Sequence, residues 1–232
     1  HARASYLQST FARELQRSCL HAESSLVTTP ISSTLPAGRP HSGASVHARV
    51  YASFPLMSER WKFVGHYAHF VSFAVVGWVD VFTRAAYAEF LVKNLAHCRA
   101  QKGLELYEFV IMPNHVHLIA AAKGGDLGDI IRDFKTYTSK ELVKMIAANP
   151  QESRKEWMLR LFKEHGAANP QNTHNQFWQQ SNKPVMLDTL KKFHDCSRYV
   201  RENPLVAGLV TDETAYTWSS ANPRIGIELD EA

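Results

Sequence analysis

The chain lacks any stretch near the roughly 20 consecutive apolar residues that a membrane-spanning helix needs. Its longest greasy run, Phe70 to Val79, is broken by Ser72 and Gly77 and reads as a strand, so no membrane partner is expected. Cysteine is scarce as well. Cys19, Cys98 and Cys196 are scattered, with no CxxC pair. That spacing argues against a disulfide framework and against a cysteine zinc site, and it fits a reducing cytoplasm. A strong charge of one sign is also missing. The formal net charge is +4, but residues 1–56 hold five Arg, no Lys and only Glu14 and Glu23, which leaves 21 basic and 20 acidic residues for the rest. The part with folding potential is nearly neutral, so any polyanion it binds must be met by locally arranged cations.

What is present divides at Met57. Residues 1–56 are rich in Ser, Ala, Thr and Pro, poor in acids, and show no sustained period. Their composition alone would also suit an organelle transit peptide. The expectation here is a disordered tail translated from upstream of a start at Met57. With 45% hydrophobic and 21% charged residues, the composition is that of a globular chain, and residues 57–232 suffice for one domain with a real core.

From Met57 onward the patterning is legible. Tyr67 to Gly77 is rich in β-branched and aromatic residues and predicts a strand. Arg84 to Lys102 repeats apolar residues with a helical period, and Gly103 stops it. Leu104 to Met112 and Asn114 to Ala121 predict two strands joined at Pro113-Asn114 as a hairpin. Gly124-Gly125 leads into a helix with Asp126 as N-cap and a buried stripe of Leu127, Ile130, Ile131 and Phe134. Residues from about 150 to 175 read as a helical insertion. Phe177 to Leu187 predicts one or two short strands, and Asp188 to Asn203 a last helix ended by Pro204. The order β-α-β-β-α-β-α is that of an α+β, ferredoxin-like antiparallel sheet with helices on one face, plus a C-terminal helix.

Two segments carry chemistry. In Met112-Pro113-Asn114-His115-Val116-His117-Leu118, strand alternation sends His115 and His117 to one face and Val116 and Leu118 to the other. Two imidazoles one pleat apart are able to share a metal ion; they are equally readable as two half-buried histidines on a sheet. In Arg198-Tyr199-Val200-Arg201-Glu202-Asn203-Pro204, the i, i+4 spacing sets the Tyr199 phenol beside the Asn203 amide on one helix face. An amide oxygen suits a hard cation, although a packed tyrosine and a helix-ending asparagine would read the same way.

His115-Val116-His117 resembles the histidine-hydrophobic-histidine (HUH) motif of single-strand DNA transposases. Tyr199 to Val210, YVRENPLVAGLV, resembles the tyrosine helix of the REP-associated tyrosine transposases and their insertion-sequence relatives. Phe177-Trp178-Gln179 and Tyr216-Thr217-Trp218-Ser219-Ser220 are similar to flanking signatures of that group, and the likeness runs from about Lys62 to Ala221. It implies the HUH endonuclease fold with a tyrosine-bearing C-terminal helix. It implies Mg²⁺ or Mn²⁺ held by His115, His117 and Asn203, with Tyr199 as the nucleophile. It implies cleavage and rejoining of single-stranded or hairpin DNA through a 5′-phosphotyrosine, by a cytoplasmic, nucleoid-associated bacterial protein that is a monomer or homodimer. A domesticated hairpin-binding protein that no longer cuts, and a phosphodiesterase that uses water, are the alternatives; the intact set of four residues favours the transposase.

Other candidates are less distinctive. Arg132, Lys135, Lys140 and Lys144 are candidate phosphate contacts, but Asp129, Asp133 and Glu141 interleave with them as on an ordinary solvated face. Arg154 and Lys155, with Trp157, Arg160 and Lys163, mix cations with a ring as a strand-binding lid does, or simply form the helical insertion. Tyr137 is the rival tyrosine, without an amide one turn on. His69 lies on the first strand within reach of the sheet site, and no role is assigned to it.

Overall fold

The computed structural model describes residues 63, 65, 67–170, 174–180, 182 and 184–231; residues 1–56, and the expectation of a disordered tail there, lie outside them. The elements are β1 (His69–Ala74), α1 (Ala85–Lys102), β2 (Leu104–Ile111), β3 (His115–Ala122), α2 (Leu127–Ala148), α3 (Lys155–Ala167), β4 (Val185–Met186) and α4 (Leu190–Val206). All strand pairs are antiparallel, in the order β2-β3-β1-β4. That is the ferredoxin-like arrangement expected from the sequence.

The two faces of the sheet are covered by different helices, as the alternation of side chains requires. On one face Val71, Phe73, Leu106, Phe109, Val116 and Leu118 pack with Leu91 and Leu95 of α1, Ile131 and Phe134 of α2, and Met158 and Phe162 of α3. On the other face Val110, Met112 and Ile119 pack with Cys196 and Val200 of α4. Because both faces are covered, all eight residues of β3 are buried.

Local chemistry explains the boundaries. Gly103 closes α1 in the left-handed conformation (φ 71°), donating its N–H to Cys98. A side chain there would be strained and would sit 3.3 Å from the Lys123 carbonyl. Asp126 caps α2 by accepting from the Gly128 N–H.

Two expectations about extent are corrected. The first strand is shorter than Tyr67 to Gly77: past Ala74 only Val75 stays extended, donating its N–H to the Asn114 carbonyl (2.9 Å) and bridging Trp178 on its other edge, and the chain then turns through Val76–Trp78. Between Phe177 and Leu187 the expected one or two short strands take the form of the two-residue β4, with Trp178 bridged to Val75. Pro204 does not end the last helix. The missing proline N–H removes one hydrogen bond, yet Ala207 still donates to Asn203 (3.0 Å) and Leu209 to Pro204 (2.9 Å), so α4 continues to Val206. The FWQ and YTWSS segments turn out to be structural ties. The Trp178 indole donates to Thr138 Oγ1 (3.1 Å), Ser219 pairs with Val110, and the Tyr216 hydroxyl donates to the Ile111 carbonyl (3.0 Å).

Candidate functional site

In the β1–β3–β2 register His117 lies between Ser72 and Val110, on the face that α4 covers. His115 and His117 are buried, with ring centroids 4.7 Å apart and edge to face. Burial alone holds His115 down at about 4, and burial together with the neighbouring His115 holds His117 well below the usual imidazole value. Both rings are therefore neutral near pH 7, which is the form that ligates metals.

The tautomer of His115 follows from its neighbours. Its Nδ1 lies 2.7 Å from Asn114 Oδ1, while the Asn114 amide nitrogen donates to Asp80 Oδ1 (2.9 Å) and to the Trp78 carbonyl (3.3 Å). An amide oxygen only accepts, so Nδ1 carries the proton and Nε2 carries the lone pair. Asn114 was legible in the sequence only as a turn residue. Its further part in orienting His115, with Asp80 behind it, had no sequence signal because Asp80 is 34 residues away.

Tyr199 comes from α4 and meets this pair. Its hydroxyl is 3.5 Å from His117 Nε2, and Phe70 of β1 stacks on the His117 ring (5.3 Å) and lies edge-on to the Tyr199 ring (5.8 Å). Burial pushes the Tyr199 phenol up to about 12, while a hydrogen bond from the Asn203 side chain works the other way. Ser197 is bound to Glu108 Oε1 (2.8 Å), which ties α4 to β2. The fit of this site to a cation rests on its atoms. Asn203 Oδ1 and His117 Nδ1 are buried with no hydrogen-bond partner among the described residues, and each such orphan costs about 1–3 kcal/mol. No cluster of three or more His, Cys, Asp or Glu able to hold a metal occurs among the described residues, so the donor set is two neutral imidazoles and an amide. Those donors fit a divalent ion with coordination positions left over for substrate oxygens.

The other candidates are placed elsewhere. His69 is buried, bonded to the Tyr67 carbonyl and edge-on to Phe63, so strand alternation turns it away from His117. Arg132, Lys135, Lys140 and Tyr137 belong to α2, across the sheet from the histidine pair. Arg132 pairs with Asp129 and Asp133. Lys135 turns inward to the Gln179 carbonyl (2.9 Å) and over the Phe73 ring, and burial lowers its ammonium to about 8. With Lys140, Lys144 and His174 it lines a groove on the outside of that layer. Tyr137 is exposed against Phe90. Arg154 binds Glu152 (3.0 Å) and the Asp80 carbonyl (3.2 Å), and Lys155 starts α3.

Residues 63–162 match the family model of IS200-like transposases. Over that stretch, less than half of its length, the chain is similar to IS200-like transposases. The match takes in β1 to most of α3, and so both histidines, while Tyr199 and Asn203 lie beyond it. Among solved structures, a REP-associated tyrosine transposase bound to a REP hairpin is similar at 14% identity and a TM-score of 0.46, over 68% of this chain and 78% of that one. A candidate transposase from Deinococcus radiodurans R1 is similar at 17% identity and a TM-score of 0.38, over 61% and 92%. No curated protein matches the sequence. Among the described residues, no helix is long and apolar enough to cross a membrane.

Proposed function

We propose that this protein cleaves and rejoins single-stranded DNA at hairpin-associated sites, with Tyr199 as nucleophile and a divalent ion, Mg²⁺ or Mn²⁺, held by His115, His117 and Asn203. The observation that carries the proposal is the meeting of the Tyr199 hydroxyl with His117 across 3.5 Å, from a helix and a strand 82 residues apart, inside one chain. The phenol oxygen attacks a DNA phosphorus, the bond to the 3′ oxygen breaks, and that oxygen leaves as a 3′-hydroxyl. A 5′-phosphotyrosine remains. A second 3′-hydroxyl then attacks the phosphorus and returns the phenol, so rejoining needs no nucleotide triphosphate.

A bound divalent ion supplies charge neutralisation at the phosphate oxygens. The chain's own residues supply position. Phe70 and His117 fix the Tyr199 ring, Asn114 fixes the His115 tautomer, and the Asn203 hydrogen bond favours the charged phenolate that burial disfavours. The domain is proposed to run from 57 to 232, with the insertion at about 150–175, and to act without residues 1–56.

The test is to incubate the protein with single-stranded DNA hairpins of varied sequence and Mn²⁺, and to look for a protein–DNA adduct on a denaturing gel. The adduct should form with wild type and vanish in Tyr199→Phe, which keeps the ring and its packing. A wild-type protein that binds hairpins tightly yet never forms an adduct would be the domesticated binder instead. Cleavage that survives in Tyr199→Phe would point to water as the nucleophile.

A further inference from the structure

The loop between β1 and α1 contains an aromatic side chain that packing leaves partly exposed and the proposed chemistry does not use. Trp78 is the non-glycine residue with positive φ (55°) among the described residues, a conformation disfavoured for a bulky side chain. Its neighbour Gly77 is also left-handed (φ 63°), with its Cα against Leu161, where an added Cβ would come within 2.9 Å. Two consecutive left-handed residues turn the chain sharply. The turn is held by the Trp78 N–H donating to the Val75 carbonyl (3.1 Å) and by the Asn114 amide donating to the Trp78 carbonyl (3.3 Å).

That strain does not serve to bury the indole, which stays 39% exposed. Instead the ring stands edge to face with His115, centroids 6.0 Å apart. Asn114 connects the two features, because one amide side chain orients the His115 ring and braces the backbone that displays Trp78. An accessible aromatic ring held rigidly at the rim of a phosphate-cleaving centre is placed for the group next to the phosphate. In a single strand that group is an unpaired base, and base faces stack on an indole regardless of sequence.

We propose that Trp78 is the stacking platform for one nucleobase of the single strand beside the phosphate that Tyr199 attacks. The proposal rests on the reading of Tyr199 and the histidine pair given above. Trp78 is a positioning residue: it holds the strand and takes no part in bond making.

The experiment compares Trp78→Phe, Trp78→Leu and Trp78→Ala with wild type, after thermal melts establish that each folds. Affinity is measured with single-stranded oligonucleotides carrying 2-aminopurine at successive positions, and KM and kcat are read from adduct formation. Trp78→Leu and Trp78→Ala should weaken binding and raise KM by about 5- to 150-fold, the range for loss of one base–aromatic stack, with kcat nearly unchanged. Trp78→Phe should recover most of the affinity. Quenching of 2-aminopurine at one position should be present with wild type and Trp78→Phe and lost with Trp78→Leu. If Trp78→Leu matches wild type in KM and quenching, the indole only shields His115 and the proposal is overturned. Failure of the underlying reading looks different, because wild type itself then forms no adduct. In that event a loss of single-strand affinity in Trp78→Leu still supports stacking, and an unchanged affinity overturns it.

Discussion

The two faces of the sheet are built from the same strands but under opposite rules. On the α1–α2 face the residues are almost wholly apolar, and close packing does the work. On the α4 face the apolar cluster is smaller, and beside it lie two buried imidazoles, a half-buried phenol and an amide with an unpartnered oxygen. One face holds the fold together, and the other carries polar groups that stability alone would not select. β3 serves both, because its alternate residues face opposite ways.

The contrast breaks first where the polar face is cut. His117→Ala should abolish DNA cleavage while leaving hairpin binding in place, since most phosphate and base contacts lie elsewhere. Tyr137→Phe, across the sheet, should leave the adduct unchanged. Full cleavage by the His117→Ala protein on the denaturing gel would remove the metal assignment.

The mirror experiment is on the neighbouring residue of the same strand. Leu118 is completely buried on the packing face, so Leu118→Ala should cost about 2–5 kcal/mol of stability. A urea titration reads this directly. A loss below about 1 kcal/mol would show that this face is not the main core.

Acid should act on the polar face before the packed one. In the unfolded chain His115 takes a proton near pH 6.5, whereas in the folded chain burial delays this to about pH 4. Between those values the unfolded state binds more protons, so this contribution to stability is full at neutral pH and is lost as pH falls from about 6.5 towards 4. In the presence of a metal chelator, the urea midpoint should fall between pH 7 and pH 5, and His115→Asn should flatten that slope. Amides of α4 should lose hydrogen-exchange protection before those of α1. Equal loss on both helices would erase the distinction.

Smaller effects are expected one layer out. Asn114→Ala removes the acceptor that sets the His115 tautomer, and such outer-shell losses typically cost about 10–100-fold in metal affinity or activity. Kinetics and metal titration of that variant should shift together. Lys140→Ala, on the outer side of α2, should change cleavage by less than about twofold at physiological salt, because the groove it lines lies across the sheet from Tyr199. A drop as large as that of Asn114→Ala would bring the second face into DNA binding.

Much of this was readable from the residues. The element order, the Gly103 and Asp126 helix ends, the hairpin at Pro113-Asn114 and the shared face of His115 and His117 all follow from local rules of period two and 3.6. The spacing of Tyr199 and Asn203 also placed their side chains together. Local rules failed where the backbone was decided by distant partners. The end of β1 was set where Val75 meets Trp178, 103 residues on, and α4 ran through Pro204 because its remaining hydrogen bonds and packing outweighed one missing donor. The basic residues of α2 looked alike in sequence, but only burial distinguishes Lys135, turned into the sheet, from the exposed Lys140.

The sequence by itself therefore determined which side chains share a face, because alternation and helical pitch are properties of a few consecutive residues. Only the tertiary structure decided which faces meet. The approach of Tyr199 to His117, the brace from Asp80 through Asn114 to His115, and the display of Trp78 at the rim each join segments that are 34 to 82 residues apart. Contacts of that kind depend on how the sheet is ordered and which helix covers it, and no local pattern encodes them.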